Sequence, residues 1–520
     1  MTHSTSHDLP QDLGNGLVLR RATSSDSDAL AEFNGMIHRE PDQVEPDISV
    51  AGWVRDLLNG QHPTFPAEDF TLVEEQATGR IVSSLNLISQ TWTYAGIPFK
   101  VGRPELVGTL PEFRKRGLIR RQFDIIHAWS AERGELAQAI TGIPYYYRQF
   151  GYEMTIDLGG GRIAPLMNIP KLKEGQAEPY RLRSVTEADL AFVRELDDHA
   201  AQRSLVTCPR DETMWRYELF GKRSDNANRN EWRILETVEG RPVGLTNYFG
   251  MWLWGPALGI MYLELVPGVS WVATAPSILR GLQAEAEAVA ARTNKPLGGL
   301  RFNLGGEHPF YTVTHDRLPV VKSPYAWYMR VPDMPAFLRH ITPVLEERLR
   351  NSPAIGHTGE LKLSFYRNGV RLAFDAGRIT SVEPWMPTHE DGGSAAFPGL
   401  TFLQLLFGYR TLDELRAAFV DCWTEGDDER SLVLALFPRQ SSRFRRSHEG
   451  ARLGDIEQDA LGAALGLRSQ RLAGGGYRTK RPHRQRRAVQ HVPDDAGRDC
   501  GPTGLAARGR SRGIPQGLGG

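Results

Sequence analysis

The stretch that most constrains the fold of this chain runs from Val107 to Arg120. A β-favouring run ends at Pro111, three basic residues (114–116) precede Gly117, and a helical pattern begins directly afterwards. Glycine allows close approach of the backbone, and the N–H groups and dipole of a first helical turn favour an anion. The stretch therefore predicts a strand–loop–helix unit that binds a pyrophosphate. The alternative is a strand–turn–helix corner with a solvated basic face, because short motifs also arise by chance.

The surrounding residues predict one mixed α/β module over residues 17–165, preceded by a polar and flexible segment at residues 1–16. Helices are predicted after the caps Thr23 or Ser24, at Val50–Leu58 and after Gly117. The predicted strands are Leu17–Thr23, Phe70–Glu75, Ile81–Ser89, Glu105–Leu110, Leu136–Ile140 and Glu153–Leu158. The last helix carries an apolar face at helical spacing, formed by Ile119, Phe123, Ile126 and Trp129.

The sequence pattern at the start of this module recurs farther along the chain. Residues 182–189 match residues 19–26 in residue type and order, which predicts a duplicated module over residues 178–333. In this copy a strand at Ile260–Val266 leads to a helix at Ser277–Arg292, but the connecting segment has no arginine. The second module is therefore expected to be structural and to lack the anion site.

A different pattern begins near residue 334. A helix at Met334–Arg350, three short strands and several apolar helices predict an α+β module over residues 334–440. Residues 441–520 are glycine-rich and strongly basic, and they are expected to be disordered. Two alternatives for this tail are a nucleic-acid-binding arm and the product of an altered reading frame.

The composition limits the classes of protein to which this chain can belong. A chain of 520 residues suggests about three domains, and its 62 basic and 62 acidic residues balance, so nothing global indicates nucleic acid or a membrane. The three cysteines are too widely spaced for a disulfide framework or a metal site, which fits a reducing cytoplasm. No signal peptide is expected at the N-terminus. The most apolar region, Tyr248–Ala273, is interrupted by glycine, proline and glutamate, and predicts buried strands rather than a membrane span.

Residues 107–119 resemble the acetyl-CoA-binding signature of the GNAT N-acetyltransferase superfamily, with Ile119 where the family usually has glycine or alanine. The run Tyr147–Tyr152 narrows the resemblance to the Eis branch. This resemblance covers about residues 17–440. It implies an α/β (α+β) fold with two tandem GNAT-like mixed-sheet domains, the second degenerate, followed by a sterol-carrier-like α+β domain. It also implies acetyl-CoA as co-substrate, no metal, and assembly as a hexamer.

The resemblance also assigns a coenzyme site. The pantetheine arm is expected to pair with the backbone of Val107 and Thr109, and the pyrophosphate to bind the backbone N–H groups between Arg114 and Ile119. The full predicted set is Val107, Thr109, Arg114, Lys115, Arg116, Gly117, Leu118, Ile119 and Arg120.

The resemblance makes Tyr147 the general acid, because it stands three residues before a Phe-Gly-Tyr run. A phenol with a pKa of about 10 suits protonation of a thiolate. Tyr145 and Tyr146 are the alternatives, and a core aromatic is the alternative role for Tyr147.

The general base is less well defined. Eis relatives are thought to use their terminal carboxylate, but here some eighty residues (441–520) follow the expected end. Glu105 is a candidate, since it lies two and four residues before Val107 and Thr109 and is expected on the same strand face. A surface glutamate is its alternative role. His38 and His127 are weaker candidates.

Three functions follow. The first is acetyl-CoA-dependent N-acetylation of a primary amine, in a small molecule (aminoglycoside-like or polyamine) or a lysine. The second is a carrier of lipid or another apolar ligand with a vestigial acetyltransferase fold. The third is nucleic-acid association through the basic tail.

Overall fold

Local turn and capping signals set where most elements begin and end. The structure, a computed structural model, describes residues 7–41, 43–251, 253 and 255–442, all of which lie in one compact unit. The tail predicted at residues 441–520 therefore lies outside the described residues from residue 443 onwards.

The strands are β1 (Gln11–Gly14), β2 (Leu17–Arg21), β3 (Phe70–Glu75), β4 (Arg80–Tyr94), β5 (Ile97–Thr109), β6 (Ala137–Ile140), β7 (Glu153–Leu158), β8 (Gly161–Pro165), β9 (Tyr180–Ser184), β10 (Val206–Thr207), β11 (Glu231–Thr237), β12 (Pro242–Tyr248), β13 (Ala257–Ile260), β14 (Tyr262–Leu265), β15 (Gly299–Phe302), β16 (Val320–Lys322), β17 (Tyr325–Arg330), β18 (Gly359–Ser364), β19 (Gly369–Asp375), β20 (Arg378–Trp385), β21 (Ala395–Ala396) and β22 (Trp423–Thr424). The α-helices are α1 (Ser27–Ile37), α2 (Ile48–Leu58), α3 (Leu118–Glu132), α4 (Leu190–Ala201), α5 (Glu212–Arg216), α6 (Trp271–Thr293), α7 (Pro309–Val313), α8 (Met334–His340), α9 (Thr342–Arg350), α10 (Thr401–Leu406), α11 (Leu412–Ala418) and α12 (Asp427–Leu436).

The first module is built on a sheet with the order β1-β2-β3-β4-β5-β6-β17-β7, to which β10 adds at β4. Leu106 packs with the buried residues of α1 and α2 on one face of the sheet. Leu85 packs with those of α3 on the other face. The predicted site therefore lies in the middle of a sheet that is covered by helices on both sides.

The expectation that residues 1–16 are flexible is wrong for residues 11–16. Here β1 pairs with β2 in an antiparallel hairpin. The loop places Gly14, Asn15 and Gly16 at positive φ, which glycine and asparagine tolerate, and so it reverses the chain tightly.

The first two modules exchange strands. β17, the last strand within the predicted second module, is inserted between β6 and β7 of the first sheet. β8, the last strand within the predicted first module, pairs with β15 and β16 in a sheet of the second. The boundaries at residues 165 and 178 stay a prediction, but the sheets are shared across them.

The second and third modules complete the predicted fold class, which is confirmed. The second has a sheet β14-β12-β11-β9 and a sheet β13-β15-β8-β16, and the third has a sheet β20-β19-β18-β21-β22 with α8 to α12 around it. The single helix predicted at 334–350 is wrong, because α8 ends at His340 and α9 begins at Thr342. Pro343 lacks the N–H that a continuous helix needs and suits the first turn of a new one.

The apolar region at residues 248–273 contains the buried strands β13 and β14, as predicted. Within the described ranges, no helix is both long and apolar enough to span a membrane.

Candidate active site

The loop between β5 and α3 presents backbone N–H groups in a concave turn. After a short 3-10 turn at Pro111–Phe113, Lys115 and Gly117 adopt positive φ angles of 64° and 77°. Gly117 is also the residue before α3, and no side chain caps that helix. A left-handed turn that leads into an uncapped helix start forms an anion-binding nest with positive potential. The geometry of this loop therefore fits a pyrophosphate.

The cations around this nest form hydrogen bonds with backbone carbonyls and a side-chain amide. The Arg114 Nε donates to the Thr109 carbonyl (3.3 Å), an Arg116 nitrogen to the Glu112 carbonyl (3.2 Å), and an Arg120 nitrogen to Gln149 Oε1 (2.9 Å). Across the described part of the chain, no carboxylate forms an ion pair with the exposed cations Arg114, Lys115, Arg116 and Arg120. Exposed cations without carboxylate partners are available to phosphate oxygens.

The two remaining members of the predicted set contribute differently. Leu118 is buried in the core under α3, so only its backbone N–H can face the nest. Ile119 is half-buried and packs against the same core. The departure from the usual small residue at position 119 therefore places an apolar side chain on the helix, not in the loop.

An opening between β5 and β6 lies beside this nest. The two parallel strands pair only at Val101–Ala137 and Gly102–Gln138. Beyond Gly102, no strand pairs with β5 on this side within the described residues. The backbone edge that is left, which includes Val107 and Thr109, can pair with an extended amide-containing arm.

A β-bulge interrupts β5 next to this opening. Two β5 residues, Leu106 and Val107, lie opposite one residue of β4, and Leu106 has a positive φ of 52°. One extra residue reverses the alternation of side chains along the strand. Glu105 accordingly lies opposite Asn86 and Thr109 opposite Ser83, so these two side chains point to opposite faces. The expectation that Glu105 shares a strand face with Thr109 is wrong.

Glu105 is also not a surface residue. It forms an ion pair with Arg103, and the two side chains are only 5% and 1% exposed. The Arg103 guanidinium in turn lies over the Trp327 ring of β17, 4.8 Å from its centroid. The exchanged strand β17 thus covers one side of the Arg103–Glu105 ion pair.

Tyr147 is distinguished from its two neighbours by burial. It is 4% exposed within the 3-10 turn Tyr146–Phe150, whereas Tyr145 is 67% exposed. Its ring contacts the rings of Phe123 and Tyr328. Within the described ranges, no hydrogen bond involves its hydroxyl, which lies beside the backbone of Gly142 at the end of β6. Burial, and then the nearby Glu105 carboxylate, raise the pKa of Tyr147, so the phenol stays protonated.

The two histidine candidates lie in different surroundings. The His127 ring is 2.8 Å (Nε2) from the Tyr152 hydroxyl, and burial lowers its pKa to about 3, which fits a packing role. His38 follows α1 and is half-buried, with Nδ1 3.0 Å from the Asn34 carbonyl oxygen. Of the two, only His38 lies near the bulge of β5, since it follows Ile37, whose side chain packs against Gly108.

Sequence reasoning missed a group of buried charges that the second module brings to the first. Lys222 donates to Glu218 (2.8 Å) next to the π-helical turn Tyr217–Gly221. The ring of His62, from the first module, packs against Tyr217 (5.0 Å), and burial, with Lys222 and Arg103 nearby, lowers the pKa of His62 to about 3. The spacing of Glu218 and Lys222 is typical of an exposed helical pair, so sequence gave no sign of their burial.

The second module also holds α2 in place. The Asn226 amide donates to Asp56 (2.6 Å), and the Ala227 N–H donates to the Ser49 carbonyl (2.9 Å). Gly52 permits this contact, because a Cβ there would lie 2.5 Å from the Asp225 carbonyl oxygen. The position of α2, on the α1 side of the site, thus depends on the second module.

Comparison with known proteins identifies the first module. Residues 19–155 match the family model described as an acetyltransferase (GNAT) domain. A comparison with curated proteins gave no match.

Solved structures match over most of the chain at low identity, which shows a shared fold. A probable N-acyltransferase from Enterococcus faecalis is 13% identical, with 83% of this chain and 99% of that chain covered and a TM-score of 0.56. A GCN5-related N-acetyltransferase from Kribbella flavida is 17% identical, with 82% and 97% covered and a TM-score of 0.53. Eis1 from Mycobacterium abscessus is 12% identical, with 84% and 100% covered and a TM-score of 0.51. The chain therefore carries a GNAT acetyltransferase domain at residues 19–155, within a larger fold that it shares with Eis1.

Proposed function

We propose that this protein is an acetyl-CoA-dependent N-acetyltransferase, whose acceptor is a primary amine of a small molecule (aminoglycoside-like or polyamine) or a lysine. One observation carries the proposal. The left-handed nest at Lys115–Gly117 opens onto an uncapped helix and is surrounded by four exposed cations that form no carboxylate ion pairs in the described chain. A pyrophosphate is the ligand chemistry that this arrangement matches best.

The coenzyme arm would run from the nest along the open edge of β5. Thr109 and then Val107 offer backbone groups on this path, so the thioester would lie near the bulge at Leu106–Val107. When bound, acetyl-CoA supplies the acetyl group. A hexameric assembly stays a prediction of the resemblance.

Tyr147 would donate a proton to the departing sulfur. Its buried and protonated phenol meets the first requirement of a general acid, and its hydroxyl lies at the end of β6, beside the opening. Glu105 is close enough to raise the pKa of Tyr147, and we propose that the carboxylate keeps the phenol in its acid form.

The test is acetyl-CoA binding by calorimetry. Replacing Arg114 and Arg116 together by alanine removes two charge-assisted contacts worth about 1.5–3 kcal/mol each, so the Kd should rise by about 100-fold or more. Arg241→Ala, at an exposed arginine of the second module, is the matched control and should leave the Kd unchanged. An unchanged affinity in the double variant would contradict the proposal.

Turnover is measured in parallel as CoA release with a panel of amines that contains an aminoglycoside, a polyamine and a lysine peptide. Release that depends on the amine supports transfer and identifies the acceptor class. A protein that binds acetyl-CoA but releases no CoA with any amine would contradict the transferase function.

A further inference from the structure

The C-terminal end of α1 is pressed against β5 at the bulge. A Cβ on Gly108 would lie 2.7 Å from a methyl group of Ile37, so only glycine allows the helix to approach this closely. His38 is the next residue after α1. The close approach therefore holds the imidazole beside Val107, where the thioester would lie.

A backbone carbonyl fixes the orientation of the His38 imidazole. Its Nδ1 is 3.0 Å from the Asn34 oxygen, and because a carbonyl only accepts, Nδ1 carries the hydrogen and Nε2 has the free lone pair. The Asn34 and Val107 backbones both favour the protonated form of the ring and so raise its pKa. The negative end of the α1 dipole would also stabilise the charge of a protonated ring.

Burial nevertheless favours the neutral ring at neutral pH. It lowers the pKa of His38 from its ordinary 6.5, while the Asn34 and Val107 backbones and the Asp47 carboxylate at the start of α2 oppose that shift. Arg103 and Glu105, which lie farther along the same face of β5, pair with each other. A neutral imidazole with prepared partners for its protonated form has the properties of a general base.

We propose that His38 is the general base of the acetyl transfer and takes a proton from the attacking amine at Nε2. This inference rests on the proposed function. The amine nitrogen forms a bond to the acetyl carbon, and the carbon–sulfur bond breaks. One amine proton goes to His38, and the Tyr147 proton goes to the sulfur. The proton on His38 then returns to the phenolate through water, so the products are the N-acetyl amine and free CoA thiol.

This assignment separates the acid and the base on the two sides of the opening. Tyr147 belongs to the core under α3 and contacts Phe123 of that helix. His38 approaches from α1, which covers the other face of the sheet. Glu105, paired with Arg103, keeps the electrostatic role proposed above.

The test compares the pH dependence of kcat in the full-length wild-type protein and His38→Gln, with an amine that the wild type acetylates. A base acts in its neutral form, so wild-type kcat should fall as pH drops through the pKa of His38, below 6.5. In His38→Gln, kcat should fall by about 100-fold or more and this inflection should disappear. His315→Gln, at a histidine with a 71% exposed side chain, should keep the wild-type profile.

A second variant distinguishes the loss of a base from misfolding. His38→Ala should bind acetyl-CoA like the wild type, and added imidazole should restore part of its kcat. A wild-type-like kcat and inflection in His38→Gln would overturn the inference, and so would the absence of rescue in a His38→Ala protein that still binds acetyl-CoA. Those results would not affect the proposed transferase function. A wild-type protein that neither binds nor turns over acetyl-CoA would contradict both the transferase function and the role of His38.

Discussion

The starts of α3 and α6 are equivalent positions in the two modules, and they differ in what their backbone N–H groups can bind. At α3 the preceding residue is Gly117, no side chain caps the helix, and exposed cations surround the turn. At α6 the Ser270 hydroxyl accepts from the Ala273 N–H (3.2 Å), and residues 266–273 contain no arginine or lysine. The duplicated fold therefore keeps the strand–helix connection but offers an anion only one open site.

The clefts beside the two helices differ in the residues that line them. In the first module β5 separates from β6 after two paired positions. In the second, β13 and β15 pair at four positions, and the cavity beyond them is lined by residues that include Glu264 and His308. Glu264 pairs with Arg203, and His308 lies 3.0 Å (Nε2) from the Leu263 carbonyl oxygen. The second cleft remains as a cavity, but Glu264 and His308 line it where the first has a loop of exposed cations, which teaches that a degenerate module can keep its fold while its cleft no longer suits an anion.

The largest effect expected from this comparison is at Tyr147. Tyr147→Phe keeps the buried ring but removes the proton donor, so kcat should fall by about 10²- to 10⁴-fold while acetyl-CoA affinity is retained. Stopped-flow or steady-state CoA release measures the change. Tyr145→Phe and Tyr146→Phe are matched controls in the same turn, and a larger loss in either would move the acid to that residue.

An intermediate effect is expected at Gly117 and Gly268, the positive-φ glycines of the two loops that lead into α3 and α6. Both have positive φ (77° and 84°) and open space around a Cβ, so alanine at either position carries the same left-handed cost of about 1–2 kcal/mol. Gly117→Ala should raise the acetyl-CoA Kd by about 5- to 30-fold, because binding must restore the nest. Gly268→Ala should leave the Kd unchanged in the same calorimetric titration. Equal effects of the two substitutions would mean that the first loop is not a ligand site.

The smallest effect is expected at Ser270. Ser270→Ala removes the cap of α6 and should destabilise the second module by about 1 kcal/mol, seen as a lower thermal midpoint. Acetyl-CoA affinity and kcat should not change. A loss of acetyl-CoA affinity would show that α6, too, takes part in binding the coenzyme.

Much of the fold could be predicted because its signals are local. The cap at Thr23 and the periodicity of residues 118–132 each act within a few residues. The strands β4 and β5 were predicted too short, since Pro98, Gly102 and Pro104 weaken the strand pattern. Pairing along the whole β4–β5 hairpin overrides that weakness.

The candidate site could be predicted only in part. The basic loop and Tyr147 form continuous sequence patterns, and the structure places them in a nest and in a buried turn. The faces of Glu105 and Thr109 could not be predicted, because the bulge that reverses them is set by pairing with β4. His38 carried no distinguishing signal either. The packing of Ile37 on Gly108 determines which residues surround His38.

The sequence by itself determined where the chain turns, where α3 begins, and which module carries the cations. These properties depend on φ preferences, capping and charge, which are carried by neighbouring residues. The tertiary structure alone decided that β17 enters the first sheet, that Trp327 of β17 lies beside the buried Arg103–Glu105 pair, and that the end of α1 packs on Gly108. Each of these arrangements brings together elements that are distant in sequence, and burial of the sheet between its helices fixes them together.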